Sequence, residues 1–156
     1  MLVIYLYKED QIELFQINSA MLLEGLNQFQ IFSLCILGVI YWGLFAFAIR
    51  HVGPVIFAND ARRIMTYLGS IPLLYVTMVF SEGLVGISSK HRLASVILMT
   101  ASATLFDGIA LMWFPTLYEN PTIRKTNPGA AVIFSRMGAA WIIYGVAASF
   151  FIVALA

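Results

Sequence analysis

Four long apolar stretches dominate the chain, each closed by short runs of charged or turn-forming residues. The first, 31–49, is uncharged throughout and ends at Arg50-His51. The second, 64–82, follows Arg62-Arg63 and runs to Glu82. The third, 93–118, is broken only by Asp107. The fourth, 131–155, carries Arg136 near its start and is apolar thereafter. A helix that crosses a bilayer needs about 20 mostly apolar residues. Backbone N–H and C=O groups in hydrocarbon must be paired within the segment, which selects helices over open strands. The pattern predicts an all-α, polytopic membrane protein with four transmembrane helices in an antiparallel bundle over residues 31–156.

The breaks between the stretches agree with this. Gly53-Pro54 and Asn59-Asp60 predict a turn-rich loop between the first two helices. Pro115, Asn120-Pro121 and Asn127-Pro128-Gly129 predict another between the third and fourth. The link GLVGISSKHR is short and suits antiparallel neighbours. Pro72 falls inside the second stretch, where a kink is expected.

Residues 1–30 follow a different pattern. Ile12, Phe15, Leu22, Leu26 and Phe29 recur at helical spacing, with Glu13, Asn18, Glu24 and Asn27 between them. This predicts an N-terminal amphipathic helix lying at the membrane interface, or equally a docking segment for a partner protein. Its acidic polar face disfavours anionic headgroups. The opening MLVIYLY precedes Lys8, Glu9 and Asp10, the reverse of a cleavable signal's charge order.

Composition strengthens the membrane reading and narrows the chemistry. Hydrophobic residues make up 61% of the 156 and charged residues 11%, against roughly 45–50% and about 25% in soluble domains. A soluble fold of this length could not hide that much apolar surface. The formal net charge of +1 provides no basic field for nucleic acid. Cys35 is the sole cysteine, so neither an internal disulfide nor a multi-cysteine metal site is expected.

Lysine and arginine placement predicts orientation. Lys8, Lys90 and Arg92 fall on one side. Arg50, Arg62, Arg63, Arg124 and Lys125 fall on the other, with Arg136 close by. The excess assigns the one–two and three–four loops to the cytoplasm and both termini to the outside.

Few residues inside the spans could carry chemistry. Asp107 lies 11 positions before Tyr118, or about 16 Å of helix rise. A carboxyl group at that depth must be protonated, paired or in contact with water. Arg136 enters from the same side on the next helix, and its long stem allows the two to meet. Two readings of this intramembrane polar pair stay open. One is a proton or cation site, or an internal polar pocket; the other, favoured because one acid and one base make a poor relay, is a lock between helices. His51 and His91 fall at ends of different helices on opposite sides, which argues against joint ligation of a metal or haem; each alone could bind a pigment or metal, an interfacial histidine being the favoured reading. Trp42, Trp141 and Tyr144 sit deeper than interfacial anchors such as Tyr67, Trp113 and Tyr118. Their polar hydrogens want partners, from another helix or from a bound lipid or pigment. Thr100, Thr104 and Gly108, and likewise Gly145 and Ser149, form small-residue stripes that let helices approach closely. There is no HExxH, CxxC, GxSxG or glycine-rich phosphate loop, so no enzymatic role is expected, and the sequence leaves open whether a pigment, quinone or lipid is bound.

The run FDGIALMWFPTLYENP, Phe106 to Pro121, and the run GAAWIIYGVA, Gly138 to Ala147, resemble an uncharacterised family of small bacterial four-span membrane proteins. In that family an Asp in the third helix precedes a Phe-Pro near its end, and a Trp and a Tyr fall early in the fourth. FAIRHVG, Phe47 to Gly53, is similar to its Arg-x-x-Gly after the first helix. The match covers about half the chain, and the long N-terminal segment departs from it. The resemblance implies the four-helix fold and a bacterial inner membrane, an organelle membrane being the alternative, and no activity. The functional expectation is a structural or auxiliary subunit that packs against lipids and other membrane proteins or copies of itself. The alternative is a transporter or channel component using Asp107 and Arg136.

Overall fold

The computed structural model describes residues 23–155. Its elements are α1 (Gln28–Ile56), α2 (Asp60–Val85), a 3-10 turn (Ser89–His91), α3 (Arg92–Trp113), the short α4 (Pro121–Thr126) and α5 (Pro128–Leu155). No strand occurs among the described residues. Four helices are long and apolar enough to cross a membrane: α1, α2, α3 with its preceding turn, and α5. That much of the sequence reading is observed. The expected amphipathic helix falls mainly on residues 1–22, outside the described residues, and residues 28–30 already belong to α1.

Asparagines set most of the helix starts. The side chain of Asn27 accepts from the Gln30 N–H while the Gln30 side chain accepts from the Asn27 N–H, a reciprocal cap at the start of α1. Asn59 caps α2 through the Arg62 N–H, and Asp60 in the first turn suits the positive end of the helix dipole. Asn120 and Asn127 precede Pro121 and Pro128, each proline occupying a first-turn position where its missing N–H costs nothing. Gly86 ends α2 in the left-handed region, φ 69°.

Two boundaries differ from expectation, both at prolines. The first helix does not stop at Ile49 for a Gly53-Pro54 loop but continues through Pro54 to Ile56. A proline inside a helix leaves the carbonyl four residues back without its N–H partner. Here that carbonyl belongs to Arg50, and the Asn120 side-chain amide donates to it at 2.9 Å. The third helix, in contrast, ends at Trp113 rather than reaching residue 118. Pro115 disfavours helical backbone at Phe114. The chain turns, and Tyr118 folds back until only 1% of it is exposed.

Helix α1 is the hub: it touches every other long helix and packs most extensively on α3. A Cβ on Gly38 would lie 2.2 Å from the Met99 carbonyl oxygen, so α1 and α3 meet backbone to backbone there. A Cβ on Gly138 would lie 2.3 Å from the Ile49 Cγ2, which gives α5 a similarly close seat on α1. The small-residue stripes anticipated from sequence are not these contacts. Nothing lies within 4 Å of a Cβ on Gly108, and Thr104 is exposed. Large apolar side chains, among them Phe32, Phe47, Val76, Phe80, Leu105 and Phe151, cover the outside of the helices. That distribution is unfavourable in water and favourable in lipid.

Candidate functional site

The polar groups inside the bundle collect at three places. The first surrounds Asp107 on α3. The Trp42 indole N–H, from the middle of α1, donates to its carboxyl oxygen Oδ1 at 3.2 Å and to the Tyr118 hydroxyl oxygen at 3.0 Å. The Tyr118 O–H in turn donates to the same Oδ1. Tyr118 reaches this position only because Pro115 has ended α3. Beyond it, Arg50 Nη1 donates to the Leu117 carbonyl at 3.1 Å and Asn120 donates to the Arg50 carbonyl. The loop after α3 is thereby pinned to the C-terminal part of α1.

Arg136, the expected partner of Asp107, is elsewhere. It is exposed on α5, and the ion pairs among the described residues are Arg63–Asp60, Arg92–Glu82 and Arg124–Glu119. Trp42 and Tyr118 supply the hydrogen bonds to Asp107 instead, both to Oδ1. Sequence spacing placed Asp107 and Arg136 at compatible depths but carried no information about which face of α5 would point inward.

The second place is the α2–α3 junction. Glu82 is 5% exposed. Arg92 donates to it through Nε at 3.0 and 3.3 Å and through Nη2 at 3.1 Å. This forked geometry is the strongest arrangement available to an arginine–carboxylate pair. In the sequence Glu82 only closes the second apolar stretch, which gives no sign of this pairing. The available signal was an acid and an arginine flanking a nine-residue link.

The third place is a partly open cavity of about 110 Å³ at mid-length of the bundle. All four long helices line it, with Trp42 on one wall and Trp141 on another. Gly145 and Ser149, one of the two stripes, also line it. Trp141 packs edge-on against Phe45 and Phe57, with ring centroids 5.4 and 6.2 Å apart. Its indole N–H is buried and has no hydrogen-bond partner among the described residues. A buried donor left unpaired costs about 1–3 kcal/mol.

The remaining residues singled out from sequence fall into ordinary surroundings. His51 is exposed and lies against Phe47, ring centroids 4.3 Å apart. His91 closes the 3-10 turn just before α3, beside Gly25. They are on separate helices, and no group of three metal-ligating side chains forms among the described residues. Tyr144 lies against Tyr67, ring centroids 4.9 Å apart and tilted by 58°.

Compared with known protein families, curated proteins and solved structures, the chain matches none. The function therefore has to be read from the chain's own residues.

Proposed function

We propose that the chain is a non-enzymatic integral membrane protein that serves as a structural or auxiliary subunit of a larger membrane assembly. The observation that carries this reading is the outer face of α5. Val132, Ile133, Arg136, Ala140, Ile143, Ala147 and Phe151 are all exposed and recur at helical spacing. Arg136 is the only charge among them. It lies eight residues into α5, about 12 Å of rise from its start. A guanidinium on an apolar face at that depth is costly in lipid unless it reaches the interface or meets an acceptor. A carboxylate or carbonyl on a neighbouring subunit meets that need.

The bundle is read as up-and-down. Gly38 with Met99 and Arg50 with Leu117 support α1 and α3 running in parallel. Tyr41 with Ser81, and Thr66 with Ile56, support α2 running against α1. Both termini are assigned to the outside of a bacterial inner membrane, on the charge bias and the family resemblance. Residues 1–30 serve as the interfacial or docking segment.

The test is co-purification in mild detergent. The wild-type chain is expected to elute with a defined partner or as a defined homo-oligomer. Arg136→Leu is expected to release it while the helical circular dichroism stays unchanged. A lone wild-type monomer would defeat the reading. The transport alternative predicts that Asp107→Asn abolishes flux in proteoliposomes without loss of fold. It is less favoured, because the two bonds to Asp107 support a role in packing.

A further inference from the structure

The cavity between the four helices carries a consequence separate from subunit packing. Seven of its lining residues have polar side-chain hydrogens, and six of these groups are already engaged. Ser70, Thr77, Thr100 and Ser149 each donate to a carbonyl of their own helix. Ser81 donates to the Thr77 carbonyl, so in the Tyr41–Ser81 pair the hydrogen comes from Tyr41. Trp42 donates to Asp107 and Tyr118. Among the described residues only the Trp141 N–H is left over, in a side chain 9% exposed. Apart from these polar groups the wall is apolar.

Size and depth narrow what fits. At about 110 Å³ the space approaches an apolar protein cavity of about 150 Å³ that stays dry and takes up benzene. Trp141 is residue 14 of the 28 in α5, and Trp42 is residue 15 of the 29 in α1. Both lie about 20 Å from their helix ends, so a ligand would arrive from the hydrocarbon and not from water. A charged or strongly hydrated molecule would lose its hydration there and find a single donor in return.

We propose that this cavity binds a neutral, membrane-soluble molecule that presents one carbonyl oxygen to the Trp141 N–H and an apolar ring or chain to the remaining wall. A quinone ring and the ester of an acyl lipid share that chemistry.

The test uses the full chain in detergent with ¹⁵N-labelled tryptophan. The three tryptophans give three indole cross-peaks, and the one lost in Trp141→Phe is assigned to Trp141. The probes are decyl-benzoquinone, methyl decanoate and decane. Saturable movement of the Trp141 cross-peak is expected with one or both carbonyl probes and not with decane. A response to the quinone alone assigns the site to ring carbonyls, and a response to the ester assigns it to acyl lipids. By calorimetry, Trp141→Phe is expected to weaken the responding probe about fivefold, the worth of one neutral hydrogen bond, and to leave decane unchanged. Gly145→Leu, whose added side chain projects where the nearest atom, Leu74 Cδ1, is 4.0 Å from a Cβ, is expected to abolish uptake of every probe. A Trp141 cross-peak that ignores both carbonyl probes overturns the proposal. So does equal weakening of decane and carbonyl probes in Trp141→Phe, or unchanged binding in Gly145→Leu.

Discussion

Trp42 and Trp141 line the same cavity from α1 and α5, at the same depth, and their indole N–H groups meet opposite fates. That of Trp42 is shared between Asp107 and Tyr118; that of Trp141 is buried and has no partner among the described residues. The contrast extends along the helices that carry them. The α1–α3 seam is closed by direct contact at Gly38, by the Asp107 cluster, and by the Arg50–Asn120 clasp on the following loop. The α5 side is held by Gly138 on Ile49 and by aromatic edges, which pack but do not specify polar partners. A polar group in an apolar interior either has its bond or is costly. One seam therefore acts as scaffold, and the other keeps a donor in reserve.

Variants of these two regions break or sharpen the contrast, and reversible unfolding in mixed micelles measures each. The largest effect is expected at the polar closure between α2 and α3. Arg92→Met leaves Glu82 buried without its cation and should cost about 3–5 kcal/mol. Gly38→Val should cost about 3 kcal/mol, at the upper end of overpacking. The obstacle is the Met99 backbone, which cannot rotate away as a side chain could. For Gly138→Ala the nearest obstacles are Ile49 side-chain atoms, which can shift, so it should cost less, about 1 kcal/mol. The most direct comparison is Trp42→Phe against Trp141→Phe. Both lose the same volume, but only the first leaves Asp107 short of a donor and strips a bond from Tyr118. Trp42→Phe should be the more destabilising by about 1–3 kcal/mol. Equal losses would remove the distinction between the two walls. The smallest effect is expected for His51→Ala, within about 0.5 kcal/mol, since the side chain is exposed and its ring lies against the likewise exposed Phe47.

Particular residues show where sequence reading succeeds and where it stops. The four helices were legible because an uninterrupted apolar run of spanning length has few other solutions in a backbone that must satisfy its own hydrogen bonds. Asn59 and Asn120 were legible as boundaries, and as caps their chemistry acts within three residues. Pro54 and Pro115 were both read as breaks, yet only Pro115 ends a helix. The difference lies in Asn120, 66 positions beyond Pro54, which supplies the missing donor to Arg50. No local pattern contains that bond.

The candidate site divides in the same way. Asp107 stood out because a lone acid in an apolar run is costly wherever it lies, and Trp42 and Trp141 because an indole N–H at depth needs a partner. Which partner each receives depends on helix rotation and on the return of the loop after α3. Arg136 was matched to Asp107 by depth alone, and rotation of α5 turns it outward. The chain by itself determined the number and apolar character of its membrane-spanning helices, since these follow from composition within single segments. The pairing of polar groups between segments was decided only by tertiary structure. A side chain's depth is set by its position along a helix, whereas its neighbour is set by how two helices turn and cross.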